Sequence, residues 1–90
     1  MRGGKSKEIV ISGLILPVEW DENDHIIGVV IETADEESYI VEADRKGNEL
    51  LKFIHQEVEA KGKVRAGEYG NMYIKLKEYA LLEKRADDDF

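Results

Sequence analysis

Apolar and polar positions alternate along three stretches of the chain and run together along two others. From Glu57 to Arg65 the alternation is strict. Val58, Ala60, Gly62 and Val64 fall on one side, and Glu57, Glu59, Lys61, Lys63 and Arg65 on the other, the pattern of a strand with one buried face. Met72, Ile74 and Leu76 alternate in the same way with Tyr73, Lys75 and Lys77, and Tyr79 and Leu81 rejoin the apolar side if a bulge shifts the phase near Lys77–Glu78. Ser38 to Asp44 alternates Tyr39, Val41 and Ala43 against Ile40 and Glu42. The two continuous stretches are Glu8 to Glu19, with Gly13 inside it, and His25 to Thr33. Both predict strands, the first bent at its glycine and the second covered on both faces or apolar on its outer one.

The gaps between these stretches carry turn chemistry. Asp21-Glu-Asn-Asp24 and Asp35-Glu-Glu37 are clusters that compete with regular structure through their side chains. Gly67-Glu-Tyr-Gly-Asn71 supplies two glycines for positive φ in a hairpin loop. Between the third and fourth strands the period lengthens: Leu50, Leu51, Phe53 and Ile54 lie on one side of a short helix, with Asn48 as the expected N-cap. The expected order is three strands, one helix and a two-strand hairpin.

That order resembles the OB-fold, a five-stranded Greek-key barrel with a helix at one end. The resemblance covers residues 8–83 and rests on element order, on Gly13, on the phrase Val58-Glu-Ala-Lys-Gly-Lys-Val64 and on the ending Ile74-Lys-Leu-Lys-Glu-Tyr79. The fold class is therefore expected to be all-β, a five-stranded OB-like barrel with a helix between strands three and four. An SH3-like barrel or another small β-roll is the alternative for the same pattern. Residues 1–7 are expected to form a mobile basic arm and residues 84–90 an acidic tail. The resemblance implies binding of single-stranded nucleic acid, oligosaccharide or protein. The site it implies is the outer face of strands two and three, flanked by the loops joining strands one to two and four to five.

Composition narrows this. With 90 residues and no cysteine the chain is read as one domain without disulfides or thiolate metal sites. No apolar run approaches the length of a membrane span and no secretory leader is evident, so a cytoplasmic location without membrane contact is expected. A Gly-rich phosphate loop, a zinc-protease motif and a nucleophile elbow are all missing, which predicts a non-catalytic protein with no cofactor.

The net charge of −7 is unevenly spread. Glu8 to Asp44 holds 11 acids and neither Lys nor Arg, whereas residues 45–86 hold 10 bases and 6 acids. Strands two and three are thus expected to repel phosphate, and any nucleic-acid contact moves to the fourth and fifth strands. There Lys61, Lys63, Arg65, Lys75 and Lys77, with Tyr73 among them, form a candidate ribbon for a single strand of DNA or RNA. The competing reading pairs these cations with Glu57, Glu59 and Glu78 as an ordinary solvated face.

Other candidates lie on the acidic half. Trp20 could stack on a ligand or cover the rim of the core. With Ile27, Val29 and Ile31 pointing inward, Ile26 and Val30 point outward beside Gly28 and offer a short apolar strip to a protein partner or to a second copy. Asp21, Asp24 and His25 lack the Gly and distal Glu of a calcium loop, so no metal is expected. The end Asp87-Asp-Asp-Phe90 is similar to the acidic, aromatic-terminated tip of single-stranded-DNA-binding proteins, without their long preceding linker. That likeness implies docking of Phe90 onto a partner or onto the basic face. The function expected is a small binding module acting through the second strand, by protein interaction or self-association. Weak single-stranded nucleic-acid binding on the hairpin of strands four and five is the alternative.

Overall fold

A computed structural model describes residues 7–82. Its five strands are β1 (Lys7–Trp20), β2 (Ile26–Thr33), β3 (Ser38–Val41), β4 (Glu57–Ala66) and β5 (Met72–Leu81). They close into a barrel in the order β1-β2-β3-β5-β4, the OB-like arrangement. Every neighbouring pair is antiparallel except β3 and β5, which run parallel. Lys7, placed in the arm by its charge, opens β1 opposite Val64.

β1 serves both halves of the barrel. Its first part, Lys7 to Leu14, pairs with β4, and its second, from Gly13 onward, pairs with β2. Gly13 sits where the two pairings overlap, opposite Thr33 on one side and Val58 on the other. A Cβ there would collide with the Glu32 carbonyl and crowd the Ile31 side chain, so only glycine lets the neighbouring strand approach this closely.

Inward-facing residues from every strand fill the barrel. Ile15, Ile31, Val58, Ala60 and Ile74 are fully buried, with Val29, Val41 and Leu76 close behind. Burying each of the valine, leucine and isoleucine side chains among them contributes about 1.5–3 kcal/mol. One end is plugged by a helix, α1 (Arg45–Asn48), that continues as a 3₁₀ turn (Glu49–Phe53) and drives Leu50 fully into the core. Leu51, Phe53 and Ile54 pack around it. The chain leaving the plug is stitched to β1, where His55 N–H donates to the Ile15 carbonyl at 2.7 Å.

Three local details differ from the sequence expectation. The helix is capped by Asp44, whose carboxylate accepts from Gly47 N–H at 2.8 Å; Asn48 makes no side-chain cap. This follows from β3 ending at Val41, which frees Asp44 to start the turn three residues before the first buried contact of the plug. In the hairpin loop Gly70 takes φ +80°, but the second positive φ belongs to Tyr69 (φ +60°), not to Gly67 (φ −104°). The third concerns β2. β1 and β2 slip register twice near their open end, where Pro17 faces Val29, Glu19 faces Gly28 and Trp20 faces Ile26. Val18 and Ile27 are the residues left over, both exposed, while Ile26 turns back against the core. The expected orientations of Ile26 and Ile27 are therefore reversed.

The bulge expected in β5 is present: Lys61 faces Glu78 and Gly62 faces Leu76, which leaves Lys77 as the extra residue. Tyr79 consequently packs onto the core, whereas Leu81 remains exposed.

Candidate functional site

The outer surface of the barrel divides into two neighbouring faces. On the first, alternation opposite to Ile15, Ile31 and Val41 turns Leu16, Val30 and Ile40 outward. Register aligns them into one row, since Leu16 is paired with Val30 and Val30 with Ile40. An open groove of about 690 Å³ lies along Val30 and Ile40 of this row. Val18, Val30 and Ile40 line its floor, Glu37, Ser38 and Tyr39 one wall, and Gly70, Asn71 and Met72 of the β4–β5 loop the other. Gly28 leaves a dip beside Val18: a Cβ placed there would lie 3.1 Å from Glu19 Oε1, so the Glu19 side chain already leans over it. At the loop tip Tyr69 is 95% exposed. A tyrosine held both in the left-handed region and in full contact with solvent combines local strain with an unburied aromatic ring.

One acidic side chain, Glu37, lines this groove. Glu37 accepts a hydrogen bond from Tyr39 Oη at 2.8 Å and thereby raises the tyrosine pKa above its ordinary value. In the β1–β2 turn Asp21 organises the backbone, accepting from Asn23 N–H and His25 N–H at 2.8 and 2.9 Å, with His25 Nδ1 at 3.3 Å. The backbone bond from His25, foremost, holds the Asp21 carboxyl below its usual range. This is an Asx-type turn. No group of three or more His, Asp or Glu among the described residues could hold a metal ion. Trp20 is half exposed at the end of β1, opposite Ile26. Neither Trp20 nor Ile26 lines the groove; of the strip expected from sequence, Val30 does.

The second face is the hairpin of β4 and β5. Lys63 stands opposite Lys75, and Arg65 opposite Tyr73. The Arg65 guanidinium lies 4.5 Å from the centre of the Tyr73 ring, and that ring rests on Gly67, where a Cβ would overlap it. Three of the five cations are engaged by the acidic half of the chain. Arg65 donates to Glu42 at 2.8 Å, Lys75 to Asp44 at 2.7 Å, and Lys77 contacts Glu8 at 3.2 Å. These partners replace Glu57, Glu59 and Glu78, the ones suggested by nearness in sequence. Hydrogen bonding lowers the Glu8 carboxyl through Lys77 and the Asp44 carboxyl through Lys75 and Gly47 N–H, and it raises Lys75 and Arg65. Lys61 and Lys63 make no ion pair among the described residues; their field adds to the lowering of Glu8.

The two faces touch. Ile40 on β3 is paired with Tyr73 on β5, so the row Leu16–Val30–Ile40 runs on into Tyr73 and Arg65. The sequence signalled the apolar strip and the cations but not Ile40, Asn71 and Met72 as companions of Val30. Ile40 was concealed by its place in an alternating strand, and the loop meets β3 only through the parallel β3–β5 pairing. Phe90 lies outside the described residues. No family model matches the sequence, and no curated protein is similar enough to count as a relative.

Proposed function

We propose that the protein is a non-catalytic interaction module that binds another protein, or a second copy of itself, through the outer face of β2 and β3. The observation that carries this reading is the groove: an apolar floor of Val18, Val30 and Ile40 open to solvent between Glu37 and the β4–β5 loop. An exposed apolar floor inside a polar rim is the layout of an interaction surface, and an exposed tyrosine beside it is a residue type that anchors such contacts.

A photo-reactive phenylalanine analogue placed at position 30, with a control at position 63, tests this. Cross-links to protein, either a dimer of this chain or another species, should form from position 30 and be scarce from position 63. Cross-linking at position 63 alone would overturn the reading.

Nucleic-acid binding on the hairpin is the second reading, favoured by the stacking of Arg65 on Tyr73. The ion pairs limit it. If only Lys61 and Lys63 met phosphates, log affinity would fall with log salt at a slope of about −1.4, against about −3.5 for all five cations. Anisotropy of a labelled oligothymidine across a salt series measures that slope, and no binding at low salt would remove the reading. No helix among the described residues is long and apolar enough to cross a membrane.

A further inference from the structure

We infer that the groove on the β2–β3 face takes a basic partner, a peptide segment that sets aliphatic side chains between lysines or arginines. This rests on the reading of that face as the interaction surface and specifies the chemistry of what occupies it.

Three observations lead there. The groove floor is aliphatic, so affinity must come from aliphatic side chains set against Val18, Val30 and Ile40. Of the acids on this outer face only Glu37 lines the groove, where it accepts a hydrogen bond from Tyr39 Oη. Glu19, Glu32 and Glu37 make no ion pair among the described residues, whereas the acids that lie nearer the hairpin, Glu8, Glu42 and Asp44, each hold a cation of β4 or β5. Among the described residues, charge is therefore neutralised on the hairpin side and left unanswered on the β2–β3 face. Finally, no Lys or Arg occurs between Glu8 and Asp44, and the loop residues that complete the groove, Gly70, Asn71 and Met72, carry no charge, so none of its lining residues supplies a cation. Charge complementarity of this kind speeds encounter and rejects anionic partners.

The Glu19–Gly28 contact shows where a cation would sit. Glu19 leans across the dip at Gly28, beside Val18, so a lysine ammonium reaching that carboxylate would leave its aliphatic stem along the groove floor. A second copy of this chain is a poorer occupant. Its most basic surface already spends Arg65, Lys75 and Lys77 on its own acids.

The test uses the full chain and three fluorescein-labelled twelve-residue peptides. The first alternates Lys with Leu and Val, the second replaces every Lys by Glu, and the third replaces every Leu and Val by Ser. Oligothymidine serves as a fourth probe. Binding is read by anisotropy, and the contact surface by amide shift changes in two-dimensional NMR. The Lys/Leu/Val peptide should bind, with shifts centred on Val18, Val30 and Ile40. The Glu and Ser peptides should each bind at least about tenfold more weakly, and raising salt from about 50 to about 300 mM should weaken the first peptide but not abolish it.

Glu19→Lys and Glu37→Lys should each reduce affinity several-fold. Gly28→Ala should do so as well, because the added Cβ would sit 3.0 Å from Glu19 Cβ and 3.1 Å from its Oε1, and a circular dichroism spectrum matching the parent's separates this from unfolding. Equal or tighter binding of the Glu or Ser peptide in the groove would overturn the basic partner yet leave the groove as the interaction surface. If no peptide moves the groove resonances, or if only oligothymidine binds, both the inference and the reading beneath it fail.

Discussion

Asp44 divides one carboxylate between two tasks: one oxygen caps α1 through Gly47 N–H and the other receives Lys75. Replacing it by Asn preserves a cap and loses the ion pair, and replacing it by Ala loses both. The cap accounts for about 1 kcal/mol, so Asp44→Ala should lower the denaturation midpoint measurably more than Asp44→Asn. Asp44 and Glu8 also set a pH dependence. Their carboxyls titrate below the ordinary values of 3.8 and 4.5, chiefly because Lys75 and Lys77 hydrogen-bond to them. The folded chain thus holds fewer protons than the unfolded chain in this range, and their stabilisation is complete above those ordinary values. It should drain away as pH falls through the depressed ones. Urea midpoints should stay level from about pH 7 to about pH 5 and then decline, with a smaller decline in the double variant Glu8→Gln/Asp44→Asn. Tyr69, in the left-handed region with its ring in solvent, makes the opposite prediction: Tyr69→Gly should stabilise the fold by up to about 1 kcal/mol while weakening any partner bound at the groove.

Among the elements, the plug is the most sensitive. Leu50 is fully buried at the barrel end, with Leu51, Phe53 and Ile54 only partly buried around it. Leu50→Ala should cost about 2–5 kcal/mol. In a domain of this size each kcal/mol lowers Tm by roughly 4–8 °C, so thermal melting followed by circular dichroism would register the change plainly. The bulge at Lys77 is an element-level device of another kind. It resets the phase of β5 so that Leu76 and Tyr79 both reach the core. Deleting Lys77 would point Tyr79 outward, break its hydrogen bond to Glu49 and leave the Glu8 carboxylate without its partner. The expected outcome is a destabilised barrel whose tyrosine ultraviolet titration loses the elevated Tyr79 component, a shift produced first by burial and then by Glu49. A deletion variant as stable as the parent would show that the bulge carries no such role.

For the whole molecule, the parts legible in the sequence are those governed by near neighbours. Val58, Ala60, Ile74 and Leu76 could be assigned to the core because an unbroken strand has period two, and the Lys77 bulge because the period visibly slips. Ile26 and Ile27 are not, because two successive register shifts against β1, one leaving out Val18 and the other Ile27 itself, undo the alternation of β2. The cap went to Asp44 instead of Asn48 because the parallel partner β5, distant in sequence, decides where β3 stops. Charge is the clearest case. Along the chain the acidic and basic halves look separate, yet Glu8, Glu42 and Asp44 fold directly onto Lys77, Arg65 and Lys75. Composition could supply the excess on the β2–β3 face only after these pairs were known.

The double duty of β1 has a bearing on how the chain reaches this state. Its second half gains a partner as soon as β2 emerges, but Lys7 to Leu14 must wait for β4, more than forty residues later. During that interval Ile9, Val10 and Ile11 lie along an unsatisfied hydrogen-bonding edge, the kind of edge that recruits strands from other molecules. Synthesis arrested within the plug, before Glu57, should therefore yield a species far more prone to aggregate than the finished protein. Folding of the intact chain should be paced by the closing of that last, most distant seam.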